Sequence, residues 1–292
     1  MIKKLVKNIL GSIGIQLVLK KNIPSPIESL LPQFSTDWHP TLRKSANLIK
    51  RLLSIPNVKL WQENNQLFFK CHEIKIEVET NEDFYILNEV FFEGDYNLFF
   101  PEKYVLIDIG MNVGITSLFF ASKPEVVKVF AYEPVEPTLR QAKMNLDRNL
   151  NFSHKITPHA FGLSDHDHSL KINYTYEWKG SIGVNQLSDA KKKNSNLTTI
   201  SIELRDVAVE IKKIKALFLN LPIVIKVDCE GSEYAIIQRL VQENLLREVN
   251  IYMIEWHEKG PAPLQIEFEK NGFSCLSKSP HGNSIGMLYA FK

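Results

Sequence analysis

The stretch YVLIDIGMNVG (104–114) constrains the fold more than any other part of this 292-residue chain. A short continuous apolar run ends in an acid and a glycine loop, and the helix-like VGITSLFFA (113–121) follows at once. Runs of this kind suit a strand buried on both faces of a parallel sheet. The alternation then repeats. VKVFAYE (127–133), HKITPHAFG (154–162), LPIVIKVD (221–228), VNIYMIE (249–255) and MLYAFK (287–292) read as strands. VEPTLRQAKMNLDRN (135–149), SEYAIIQRLVQ (232–242) and PLQIEFEKNGF (263–273) read as helices between them. The pattern predicts a doubly wound, mostly parallel α/β sheet over residues 101–292. Between residues 163 and 220 it is more irregular, and LSDAKKKNSNLTT (187–199) reads as a polar loop.

Upstream, the chain divides into residues 1–36 and 37–100. Ile2, Leu5, Val6, Ile9, Ile13 and Leu17 form one helical stripe, with Lys3, Lys4 and Lys7 mostly off it. Three readings of this helix stand side by side: docking on the rest of the protein, lying on an anionic membrane surface, or serving as a signal peptide. Lys20-Lys21 and the lack of a small-residue cleavage site weigh against the last. Pro24, Pro26 and Pro32 mark a linker. In 37–100, Leu42, Ala46, Ile49 and Leu53 share a helical face that Pro56 ends, and VKLW, QLFFK and EIKIEVE read as short strands.

Composition removes several function classes. Lys+Arg is 35 and Asp+Glu 33, a net charge of +2, which gives no electrostatic case for a nucleic-acid partner. Three scattered cysteines make neither a disulfide framework nor a zinc site and suit a reducing, cytoplasmic setting. The motifs of serine hydrolases, zincins and P-loop enzymes are absent from the sequence.

The glycine loop carries the first chemical signal. Gly110 and Gly114 permit a tight turn and a close ligand approach, and Asp108 sits at the carboxyl edge of the sheet. Glu133 ends the second strand, where an acid can accept hydrogen bonds from both ribose hydroxyls. The loop lacks the GxGxxG spacing of a pyrophosphate site, and a carboxylate before it repels a pyrophosphate while attracting an ammonium. S-adenosylmethionine, with its ammonium, sulfonium and ribose, fits these acids better than NAD.

The ordered set VLIDIGMNVGITSLFFA, VFAYEP, KMNLDRN, IKVDCEGSEYAII and IEWH resembles the FkbM-type methyltransferases over about residues 85–275. The resemblance implies a class I S-adenosylmethionine-dependent enzyme that methylates a hydroxyl oxygen, on a sugar, glycan or related metabolite. It implies that Asp108, Gly110, Asn112 and Gly114 line the methionine end, that Glu133 holds the ribose, and that Ala160, Phe161 and Asp165 lie near the adenine. Tyr96, in EVFFEGDYN (89–97), would reach the cofactor carboxylate. Met111 stands where the family usually has a small residue.

Methyl transfer to an alcohol needs alignment of the oxygen and removal of its proton. Asp228 and Glu230, at the end of the fourth core strand, are candidates for base and orienter, and His257, at the next strand's end, is a candidate proton acceptor. Asp228, Glu230, Glu255 and His257 could also gather a divalent metal, a reading the sequence does not favour. Two other functions compete: a methyltransferase-like module without catalysis, docked on a membrane assembly through residues 1–21, and an NAD-dependent oxidoreductase.

Overall fold

The computed structural model describes residues 27–181, 197–279 and 285–292. The segment 1–21, with its three readings, lies outside them. Two helices, α1 (His39–Lys44) and α2 (Ala46–Leu52), stand where the sequence predicts one. They break at Ser45, a buried residue whose Oγ donates to Asn81 Oδ1 at 2.7 Å. Strands β1 (Val58–Glu63), β2 (Gln66–Cys71) and β3 (Ile74–Val78) form an antiparallel meander. Its first turn is two residues long, Asn64 and Asn65, both left-handed as such hairpins require. Helix α3 (Asn81–Leu87) runs on through a wider turn, Asn88–Glu93, and stops at the left-handed Gly94.

The α/β alternation then unfolds as β4 (Tyr104–Ile109), α4 (Ile115–Ala121), β5 (Val126–Tyr132), α5 (Glu136–Asp147), α6 (Leu150–Ser153) and β6 (Ile156–His159). The irregular stretch folds into β7 (Gly162–Ser164), β8 (His168–Tyr174), β9 (Thr198–Asp206) and α7 (Val207–Leu217). The three strands make a small sheet of order β7-β9-β8. The chain returns to the main sheet with β10 (Ile223–Val227), α8 (Glu233–Gln242), β11 (Ile251–His257), α9 (Ala262–Lys270), β12 (Ser274–Lys278) and β13 (Ile285–Phe291).

The main sheet has the order β12-β13-β11-β10-β4-β5-β6. Neighbours from β11 to β6 are parallel; β13 is antiparallel to both β11 and β12. This is the expected doubly wound sheet. Period-two alternation divides its side chains between two cores. Leu106, Val129 and Val224 join the core built with α4 and the first hundred residues. Val105, Ile107, Ile223 and Ile225 join the core beneath α7, α8 and α9. Residues 37–100 therefore cap one face of the sheet and share its core.

Two asparagines of KMNLDRN lock this cap to the sheet. Asn145, fully buried, accepts from Glu77 N at 2.9 Å and donates to Val113 O at 2.9 Å. One turn later Asn149 exchanges two hydrogen bonds with the backbone of Lys75. On the far side, Lys278 pairs with Asp95, and Tyr289 donates to Asp95 O at 2.9 Å. No helix among the described residues is long and apolar enough to cross a membrane.

Asn145→Ala would leave a buried N–H and a buried C=O without partners, each costing about 1–3 kcal/mol. Chemical denaturation should show a loss of about 2–6 kcal/mol. Asn149→Ala, nearer the surface of the same seam, should cost less.

Candidate functional site

The tips of β4, β5, β10 and β11 meet at one edge of the sheet. After β4 the backbone passes through Gly110 (φ 83°), Asn112 (φ 51°) and Gly114 (φ 85°). A Cβ at Gly110 would stand 1.7 Å from the carbonyl oxygen of Asp228, so only glycine fits where this loop crosses the end of β10. Gly110 N and Met111 N both donate to Tyr132 O, at 3.1 and 2.9 Å. Met111 is buried in the core beside Gly114, and its side chain lines neither cavity described below.

Glu133 is the next fixed point. Its two carboxylate oxygens accept from Asn112 N and Val135 N, each at 2.9 Å. Burial raises its pKa to about 7, against the opposing pull of those two N–H groups. Each oxygen has a further lone pair to offer, and Glu133 lines the first cavity described below.

The lysine inside the apolar strand IVIKV organises the rest. Lys226 is 1% exposed, and a buried ammonium must be paired. Its Nζ lies 3.2 Å from Asp108 Oδ1 and 3.4 Å from Asp228 Oδ2, and it donates to Gly110 O. Burial alone would lower its pKa; Asp108 and Asp228 raise it above the ordinary value. Ser117 Oγ donates to the second oxygen of Asp108 at 2.5 Å. Tyr96 lies beside this group, buried, its ring centroid 6.0 Å from Lys226 Nζ. Burial, together with Asp228 and Glu255, raises the pKa of its hydroxyl.

Beyond β10, the backbone of Glu230 is left-handed (φ 49°), uncommon for a side-chain-bearing residue. Buried Glu233 at the start of α8 accepts from Gly231 N and His257 N, both at 2.8 Å, and lies 3.3 Å from His257 Nδ1. The Nε2 of His257 is 3.6 Å from Glu230 Oε2. Burial opposes protonation of His257, but the bond to Glu233 and the charges of Glu230 and Asp228 raise its pKa to about 9. Burial and the neighbouring Asp228 likewise raise the carboxyls of Glu255 and Glu89 above the usual range.

Two adjoining cavities open here. The first is lined by Gly110, Asn112, Glu133, Gly162 and Leu163, with Lys179 and Ile202 on its far wall. The second, about 300 Å³, is lined by Glu89, Glu255 and His257, with Tyr85 and Trp178 at its rim. Asn112, Asp228 and Glu230 line both.

The expected residues thus fall into three groups. Gly110, Asn112, Glu133, Asp228, Glu230 and His257 converge on the cavities. Asp108, Gly114 and Tyr96 lie behind the walls and line neither cavity. Asp108 is fully buried and neutralised by Lys226, so it acts on the site through that lysine and not by lining it. Ala160, Phe161 and Asp165 do not line either cavity; Gly162, Leu163, Ile202 and Leu204 form that wall instead. The reason is local: β6 ends at His159, and Phe161 turns its ring onto Tyr132 (centroids 5.4 Å) with Arg205 3.8 Å above it. Asp165 bonds to Ser164 and His166.

Sequence reasoning missed Lys226, Glu233, Glu89 and Lys179. Lys226 had a readable signal, since a charge within IVIKV demands a buried partner. Lys179 carried none: its buried ion pair with Asp83, 3.1 Å away across 96 residues, has no local pattern.

Residues 108–275 match the Methyltransferase FkbM domain family. "Methyltransferase 1" of Beauveria bassiana is 24% identical over 219 residues, covering 70% of this chain and 85% of that protein. "AMB antimetabolite synthetase AmbE" of Pseudomonas aeruginosa is 29% identical over 116 residues; the match covers 39% of this chain and only 5% of that protein. Among solved structures, the methyltransferase FkbM of Methylobacillus flagellatus KT is similar with a TM-score of 0.45 at 15% identity, over 92% of this chain and 59% of that one. TrmK of M. capricolum, solved with S-adenosylhomocysteine, gives 0.38 at 12% identity, over 68% and 66%.

Asp108→Asn removes one charge from a buried pair and should cost about 3–5 kcal/mol in urea unfolding. A second prediction concerns pH. A ribose diol held at Glu133, as expected from the sequence, would donate to the ionised carboxylate, whose pKa burial raises to about 7. S-adenosylhomocysteine affinity should therefore be full above pH 7 and fall below it, by up to about tenfold per unit. Calorimetric titration across pH 5–8 tests this, and Glu133→Gln should weaken binding and flatten the profile.

Proposed function

Because the chain belongs to the FkbM family of methyltransferases, we propose that it transfers the methyl group of S-adenosylmethionine to a hydroxyl oxygen of a sugar, glycan or related polyhydroxylated metabolite. One observation carries this reading: Asp228 and Glu230 line both the nucleoside-type cavity and the acid-lined hollow beside it. A group bound in the first can therefore face an acceptor held in the second.

The chain's residues fit the cofactor by their chemistry. Glu133 offers two fixed acceptors for a ribose diol, and the Gly110–Asn112 loop offers backbone at close range. When bound, the cofactor supplies an electrophilic methyl group. The protein's share is to align the oxygen and take its proton. His257, held at Nδ1 by Glu233, lies 3.6 Å from Glu230 and positions that carboxylate. Glu230, partly exposed on its strained loop, is the proton acceptor; Asp228, tethered to Lys226, orients the hydroxyl. Trp178 and Tyr85 at the rim suit the apolar face of a sugar ring, and the carboxylates suit its hydroxyls.

The test is S-adenosylhomocysteine release in the presence of sugar and glycan acceptors. Turnover should appear with a hydroxylated acceptor. Glu230→Gln should lower kcat about 10²–10⁴-fold, with S-adenosylhomocysteine affinity unchanged. Full turnover in that variant, or methylation of nitrogen only, would overturn the reading.

A further inference from the structure

The hollow proposed to receive the acceptor gathers several carboxylates around one histidine. Glu89, Asp228, Glu230 and Glu255 face it, with Lys226 behind Asp228. We propose that Asp228, Glu255 and His257 form a binding site for one divalent cation of the first transition row. One ligand atom from each of the three lies within 4.8 Å of the others.

The fold builds this arrangement on rigid elements. Strands β10 and β11 are parallel neighbours with Val227 opposite Ile254, so Asp228 follows its strand beside Glu255. Glu255 and His257 are two residues apart on β11 and share a face. The histidine supplies an observation independent of the acids. It is 5% exposed, and its Nδ1 faces the buried Glu233, whose other oxygen is held by Gly231 N. This fixes the ring so that Nε2 opens on the hollow, where its neighbour is Glu230 Oε2 at 3.6 Å. A carboxylate that orients an imidazole toward a cluster of acids is the outer-shell pattern of a metal-bound histidine. Glu255 makes no hydrogen bond or ion pair among the described residues, although it borders this crowded group. One imidazole with two carboxylates suits Mn²⁺, Fe²⁺ or Zn²⁺ better than Ca²⁺.

This inference rests on the acceptor reading of the hollow and adds a role within it. A cation here would bind the acceptor oxygen and make its hydroxyl more acidic. The hydroxyl proton goes to Glu230 and the oxygen–methyl bond forms. The sulfur–methyl bond breaks, and its electron pair stays on sulfur, so no oxidant or reductant is needed.

The test reads cation binding and not turnover. The full-length protein is stripped with chelator and titrated with MnCl₂, with free Mn²⁺ followed by electron paramagnetic resonance. One Mn²⁺ per chain is expected. Glu255→Gln and His257→Gln should each weaken it at least about tenfold, with melting curves confirming the fold and Asp228→Asn as a third variant should either fail to fold. His166→Gln, in the separate Asp165, His166, His168 cluster, should change nothing. Saturating S-adenosylhomocysteine should leave the Mn²⁺ bound, and Glu255→Gln should keep its S-adenosylhomocysteine affinity in chelator. Absence of Mn²⁺ binding at millimolar concentration, loss of it through His166→Gln, or its displacement by S-adenosylhomocysteine would overturn the site. Loss of S-adenosylhomocysteine binding in the unmutated protein would instead sink the cofactor reading.

Discussion

A single buried ammonium holds the functional edge of this sheet together. Lys226 bridges Asp108 on β4 and Asp228 after β10 and donates to the carbonyl of Gly110 between them. In a poorly polarisable interior, two carboxylates this close would repel by several kcal/mol without a cation between them. With the lysine in place, the tips of two strands and the glycine loop become one rigid unit. Asp228 is thereby set at the junction of both cavities, and Asp108 is spent on structure. The strand-end acid that draws the eye in the sequence is the inner half of this bridge.

The first hundred residues complete the site from the opposite side. Helix α3 and its wider final turn bring Tyr85 and Glu89 to the hollow, while Asp83 clamps Lys179 from the distant segment after β8. Asn145 and Asn149 seat the β1–β3 meander on α5 by backbone recognition alone. The first cavity is thus walled by sheet tips and the small β7-β9-β8 sheet, and the cap adds Glu82, Tyr85, Ile86 and Glu89 to the wall of the second.

How much of this the sequence discloses depends on the range of each interaction. The parallel core is legible because its strands are buried on both faces and its helices are amphipathic. β4, β5, β10 and β11 fall within two residues of their expected bounds. The pairing of Glu255 with His257 follows from period two along one strand, and both reach the hollow. β8, β9 and α7 escape because β9 buries only alternate residues near its end, next to a long polar run. Ala160, Phe161 and Asp165, expected on the adenine side, stand one or two positions from the wall at Gly162 and Leu163, because β6 stops at His159 and the chain turns. The contacts of Lys179 and Asn145 are long-range, and no local periodicity encodes them.

The placement of β13 has a consequence for synthesis. This strand sits between β11 and β12, antiparallel to both, and carries Ile285 at the hollow and Tyr289 against Asp95. A ribosome delivers it after both of its neighbours. Until then β11 lacks a flank, the tips bearing Glu255 and His257 lack a wall, and the cap lacks one of its latches. Completion of the second cavity therefore waits for β13, while the first, built from β4 to β10 and the turn after it, can form earlier on the nascent chain.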